Sequence, residues 1–284
     1  MQLYDPQRHR AHAALYSGHD PGVCCRMHAA PSLWLRGYPD QAVASIQAAL
    51  ALAQQLAHPL SLTFALLWAA ILHHLRREVP LTQAHAEAAM TIATDQEFPQ
   101  QVAQAMLMRG WTLAESGHGE ESIMQIQQGL AAYRATSATR DQPYYLALLA
   151  EALAKVGQRT AGLEALAEAL ATVATSGVRW WEAELHRLRG ELLLLRAAKS
   201  HPAQDSQEQH EAETCFQHAL DVARQQQAKS LELRATMGLA RLWQRQGKRA
   251  QAHTLLAPIY GWFTEGFDTA DLQEAKALLE ELAG

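Results

Sequence analysis

The sequence predicts an all-α fold, a right-handed superhelical α-solenoid of helix-turn-helix repeats, and three observations carry that expectation. A residue pair recurs every forty positions as Ala49-Leu50, Ala89-Met90, Gly129-Leu130 and Ala169-Leu170, then after ten inserted residues as Ala219-Leu220 and Ile259-Tyr260. Two columns of small residues run in phase with it. One is Ala42, Thr82, Ser122, Gly162, Ala212 and Ala252; the other is Ala30, Ala70, Gly110, Ala150, Gly190 and Ala240. Almost nothing alternates at period two, so strands are not expected. A chain of 284 residues also strains a single compact core, whereas a stack of repeats grows without limit.

Helix packing explains the columns. A small residue in mid-helix lets the partner backbone come close, and Gly37, Gly117, Gly157 and Gly247 supply left-handed caps between the two helices of a repeat. Each repeat is then helix A, a short turn and helix B, and each helix has an apolar face that only a neighbour can bury. Leu163, Leu166, Leu170 and Val173 show that face at the 3.6-residue period.

Taken in order, residues 1–18 read as a leftover helix B, with Asp5 as N-cap, Pro6 at the first helical position and Gly18 past the end. Six repeats occupy about 19–266, and the polar stretch at about 199–209 reads as an inserted loop. Pro258 should kink or end the last helix B. Residues 267–284 carry Leu272, Ala275, Leu278, Leu279 and Leu282 on one stripe and read as a C-terminal capping helix. An array starting in mid-repeat implies a fragment of a longer polypeptide.

Composition narrows the function. Net charge −5 gives no electrostatic reason to expect nucleic acid or an anionic membrane as partner. Three cysteines cannot form a complete disulfide framework and fit a cytoplasmic location. Gln41 to Leu75 lacks charge, but glutamines and His58-Pro59 interrupt it, so it reads as two helices rather than a membrane span.

The small-residue columns resemble the tetratricopeptide repeat, at a period of forty rather than ~34. The lengthened repeat is similar to those of bacterial STAND-class signalling ATPases, including the maltose-responsive transcription activator. The segments GHDPGVCC (18–25), ELHRLRGELLL (184–194) and YGWFTEGFDTADLQEAKALL (260–279) resemble the C-terminal region of large bacterial predicted-ATPase and adenylate-cyclase-type proteins. The phosphate loop of that family is absent, because Gly247-Lys248 is followed by Arg249 and has Leu242 where the first glycine belongs. The resemblance therefore implies a regulatory or effector-sensing repeat region attached to, or partnered with, an ATPase or signalling module, and it carries no catalytic residue.

No catalytic or metal motif emerges from the residues themselves. His19, Cys24, Cys25 and His28 lie close in sequence, but adjacent cysteines point about 100° apart on a helix, so no metal is expected there. His210-Glu211-Ala212-Glu213-Thr214 has Thr where a zincin needs its second His. His73-His74 and the pair Glu182 and His186 read as helix histidines without a nucleophile beside them. Seven tryptophans read as core. No cofactor and no enzymatic activity are expected.

The candidate groove follows from the resemblance, since the concave wall of such arrays comes from helix A. It places Met27, Trp34, Leu67, His74, Leu107 and Trp111 in an apolar half. Arg187, Glu191, Arg234, Met237, Arg241, Gln244 and Arg245 form a half rich in arginine. Residues 179–249 carry a local net charge of +3 and residues 250–284 one of −5, so the first stretch could meet an anionic partner or the acidic cap of another copy. The expected role is a non-catalytic interaction module binding a protein or peptide segment, or a small effector. The alternative is a self-association scaffold with no groove ligand.

Overall fold

A computed structural model describes residues 4–16, 18–197 and 202–284. Among the described residues the regular structure is helix, joined by turns, without a strand. They divide into two compact units, one of residues 1–34 and 38–138, the other of residues 35–37 and 139–284.

The first unit opens with a short helix α1 (Pro6–His9) that passes into a 3-10 segment over Arg10–Tyr16. Asp5 caps it, accepting the Arg8 N–H at 3.3 Å. Among the described residues of the leftover helix B expected over 1–18, only Pro6–His9 are α-helical. Next come α2 (Pro21–Leu35) and α3 (Pro39–Leu56), α4 (Pro59–Leu75) and α5 (Val79–Asp95), then α6 (Pro99–Glu115) and α7 (Gly119–Ala135). Proline opens α2, α3, α4 and α6, where its missing N–H leaves no bond unmade and its φ is preset. The start of α2 is capped by Asp20, whose Oδ1 accepts the N–H groups of Gly22 at 2.8 Å and Val23 at 3.1 Å.

The second unit holds α8 (Gln142–Lys155) and α9 (Arg159–Ser176), α10 (Glu182–Ala197) and α11 (Pro202–Gln225), α12 (Lys229–Arg245) and α13 (Arg249–Tyr260), and the closing α14 (Ala270–Ala283). The expected loop at 199–209 needs correction. Pro202 begins α11, and residues 202–209 are its first turns, while 198–201 lie outside the described residues. Within it Ser206 and Gln207 are exposed, while Glu208 is already buried. Pro258 lies in α13, which ends two residues later, as a proline in the last turn dictates.

The small-residue columns sit at the closest approaches of the helices. Ala30, Ala42, Ala49, Ala70, Ala89, Ala150, Ala169, Ala212, Ala219, Ala240 and Ala252 are fully buried. A Cβ built on Gly110 would lie 2.5 Å from Ile126 Cγ1 of α7, and one on Gly190 would lie 2.9 Å from the Phe216 ring of α11. Ser122 ties the same seam by donating its hydroxyl to the Gly110 carbonyl at 2.7 Å.

The A-to-B turns share one closure. Gly37, Gly117, Gly157 and Gly247 have φ between 77° and 89°, and Arg77 fills the same slot at 62°. The next N–H then reaches back to the carbonyl five residues earlier, as in Tyr38 to Leu33 at 2.9 Å and Lys248 to Trp243 at 2.8 Å. The B-to-A turns use the left-handed conformation too, at Ala57, Glu97, Ser137, Gly177 and Gln227, mostly without glycine.

From α4 onward, the A helices of each unit pack on their own B helix, on the preceding B helix of that unit and on its next A helix. That last packing runs α4 to α6 in the first unit, and α8 to α10 to α12 to α14 in the second. Successive B helices show no comparable packing, so in each unit the A helices form the inner wall. The stripe of α14 completes this, with Leu272, Ala275, Leu278 and Leu282 buried against Leu233, Met237, Ala240, Leu256 and Phe263. Among the described residues, no helix is long and apolar enough to cross a membrane.

Replacing Ala150 with Leu forces a larger side chain into a filled seam and should cost about 1–3 kcal/mol in urea unfolding. Unchanged stability would show that the column does not lie at the helix contact.

Candidate functional site

The inner wall of the first unit is closed by its own packing. Met27, Trp34, Leu67, His74, Leu107 and Trp111 are each at most 4% exposed, so the apolar half of the expected groove is core. His74 shows why, since its ring meets Trp111 edge-on at 4.5 Å across the seam from α4 to α6. Positions chosen to face a groove here are buried against neighbouring helices, as Leu107 is against Gly129 of α7. Met237 is likewise buried in the core beneath α14.

The arginines of the second unit divide into two sets. Arg187 and Arg234 belong to a buried charge network joining α10, α12 and α14. Arg187 donates Nε and Nη2 to the two oxygens of Glu184, both at 2.8 Å, and Nη1 to Glu191. Arg234 donates Nη1 to Glu184 at 3.2 Å and Nε to Asp271 at 2.8 Å. Burial works to lower the pKa of both guanidiniums, but Glu184 and Glu191 about Arg187, and Asp271 and Glu184 about Arg234, outweigh it and raise them. These cations are permanently charged and already committed. Their work is to hold three A helices in line.

Arg241, Gln244 and Arg245 reach an open cleft of about 350 Å³ between α12 and α14, lined also by Glu274, Ala277, Leu278 and Glu281. Arg241 donates to Glu274 at 2.9 Å, and both side chains stay more than a third exposed. Gln244 reaches Glu281 at 3.2 Å, and Arg249 donates to the Glu281 carbonyl. Arg245 is exposed and makes no ion pair among the described residues. An exposed pair such as Arg241 with Glu274 is worth only ~0–1 kcal/mol, so an incoming carboxylate can displace it.

The acidic cap therefore meets the basic stretch within one chain, whereas the sequence suggested an anionic partner or the acidic cap of another copy. Glu184, Asp271, Glu274 and Glu281 were absent from the expected site. The charge contrast between residues 179–249 and 250–284 was their one signal.

The histidines follow their own pattern. His28 Nδ1 lies 3.8 Å from Cys24 Sγ, and Cys25 is exposed, so the N-terminal cysteines and histidines do not converge. Among the described residues, the group whose ligand atoms all lie within 4.8 Å of one another is Glu182, His186 and His218. His186 has its pKa pushed down to about 4, first by burial and then by His218, with Glu182 opposing. In the first unit, His73 Nδ1 meets Glu78 at 2.5 Å and its ring stacks on His85 at 5.2 Å.

Two predictions follow from these charges. Arg234→Met leaves Glu184 and Asp271 buried without their shared cation, and should cost about 3–5 kcal/mol by denaturant unfolding; a loss below about 1 kcal/mol would mean the network is not structural. Burial and His73 hold the His85 pKa below its ordinary 6.5, so the unfolded chain takes up that proton first as pH falls. Stability present above about 6.5 is lost on the way down, and His85→Gln should flatten melting temperature against pH in that window. The Glu78 carboxyl is lowered from 4.5, its bonds to His73 and Arg76 outweighing burial, so its stabilisation is lost only at lower pH.

No family model matches the chain. An uncharacterized protein of Rhizobium meliloti (strain 1021) is 30% identical over 198 residues, or 69% of this chain, and the match spans 19% of that relative's length. Among solved structures, a Rap protein complexed with competence and sporulation factor superposes with a TM-score of 0.60 at 11% identity, covering 92% of this chain and 75% of that one. The apo form of RapI superposes with a TM-score of 0.51, also at 11% identity, over 92% of this chain and 97% of that one. The likeness at this identity is one of fold, a TPR-like all-α repeat array.

Proposed function

We propose that the chain is a non-catalytic interaction and sensing module, the regulatory repeat region of a bacterial signalling ATPase, and that its cleft between α12 and α14 takes an acidic protein or peptide segment. The observation that carries this reading is the cleft bearing exposed Arg245 and part-exposed Arg241, the latter paired with Glu274, beside Leu278 and Ala277. Guanidiniums bind carboxylates in a fork geometry, and an inner wall of stacked A helices is the usual binding face of such arrays. The Rap protein of similar fold, solved with a bound factor, supports the same use of the architecture. Its resemblance to the C-terminal regions of predicted-ATPase proteins, together with a curated relative about five times longer than the match, supports the attached-module reading.

Selection of peptides from a random display library tests it. Enriched sequences should carry clustered Asp and Glu beside an apolar residue. Arg241→Gln/Arg245→Gln should weaken them at least ~10-fold, about 1.4 kcal/mol, while leaving melting nearly unchanged. No enrichment, or enriched peptides indifferent to the double substitution, would overturn the cleft as receptor.

A further inference from the structure

Glu182, His186 and His218 bring together one carboxylate and two imidazoles. Glu182 and His186 stand four residues apart at the start of α10, on one face of that helix, and His218 comes from α11 packed beside it. The two imidazole centroids are 4.2 Å apart and the rings are tilted by 57°. We propose that these three side chains form a divalent transition-metal site, with zinc as the ion that fits the donor set best.

Two imidazole nitrogens are borderline donors, and the carboxylate adds one hard oxygen. They suit zinc and its late first-row neighbours, and they disfavour magnesium and calcium, which take oxygen ligands. Tetrahedral zinc at 2.0–2.2 Å holds its ligand atoms ~3.3–3.5 Å apart. The three atoms already lie within 4.8 Å of one another, so small side-chain rotations complete the geometry without moving either helix. Three protein ligands leave a fourth position to water.

Arg179 supplies the outer support. Its Nε and Nη2 donate to the two oxygens of Glu182, at 2.6 and 3.3 Å. A carboxylate offers about four lone-pair sites, so the ion pair leaves room for a metal bond, and ligating carboxylates are commonly held by such a donor. Gln226 in turn donates to the Arg179 carbonyl at 2.8 Å and anchors the segment. Metal here would pin the first turns of α10 to the middle of α11. The site is separate from the arginine cleft and does not depend on it.

The test is titration of chelator-stripped protein with Zn2+ against a chromogenic chelator, with Co2+ as the spectroscopic probe. One equivalent should bind, Co2+ should give the visible bands of a four-coordinate ion, and Zn2+ should raise the melting temperature. His218 is exposed, so His218→Gln should keep the metal-free melting point yet weaken binding at least ~10-fold and abolish the Zn2+-dependent shift. His186→Gln should weaken it similarly. His210→Gln, on α11 outside the cluster, should bind as the wild type does. Absence of stoichiometric binding, or binding retained in His218→Gln, would overturn the site.

Discussion

Every feature of this molecule depends on how closely one helix backbone can approach the next. At Gly110 and Gly190 the gap is too small even for a methyl group, and at the buried alanines it is too small for anything more. Interiors are packed to crystal density, so that distance leaves no slack to share along the helix. Forty-residue recurrence of the small positions repeats the same approach from hairpin to hairpin. The A helices of each unit then touch one another in sequence and expose an inner wall whose chemistry is set by a few residues per turn.

In the second unit that wall is held by charge as well as by packing. Glu184 takes two guanidiniums, and Asp271 takes the far side of one of them, so α10, α12 and α14 are keyed to each other. A buried network of this kind adds little stability over a well-packed apolar core, but removing one member strands the others. It fixes α14 against α12. The position of α14 in turn shapes the cleft, since Leu278, Glu274 and Glu281 form one side of it. The committed arginines and the available ones are thus parts of one arrangement, four to eleven residues apart on the same helix for Arg234, Arg241 and Arg245.

The repeat was legible because small residues at closest approach admit few substitutes, so their spacing survives in the sequence. Caps at Gly37, Gly117, Gly157 and Gly247 were legible because their positive φ favours glycine. The matching turns at Ala57, Glu97, Ser137 and Gln227 were not, because the chain adopts positive φ there without the residue that normally announces it. The start of α11 was hidden by composition, since the polar residues there suit a loop as well as a helix. Groove residues were chosen by repeat position, and position alone does not distinguish Trp111, sealed against His74, from Arg245, facing solvent. The pairings of Arg234 with Asp271 and Arg241 with Glu274 cross 37 and 33 residues, and only the charge contrast between the two stretches hinted at them. His218 joins Glu182 and His186 across a helix junction in the same way.

The division of arginines into committed and available sets can be observed directly by side-chain NMR of the Nε–Hε groups during titration with an acidic peptide selected on the protein. The account predicts that the Arg241 and Arg245 signals shift with peptide while those of Arg187 and Arg234 stay fixed. Movement of Arg187 and Arg234, or no response from Arg241 and Arg245 at saturating peptide, would contradict it.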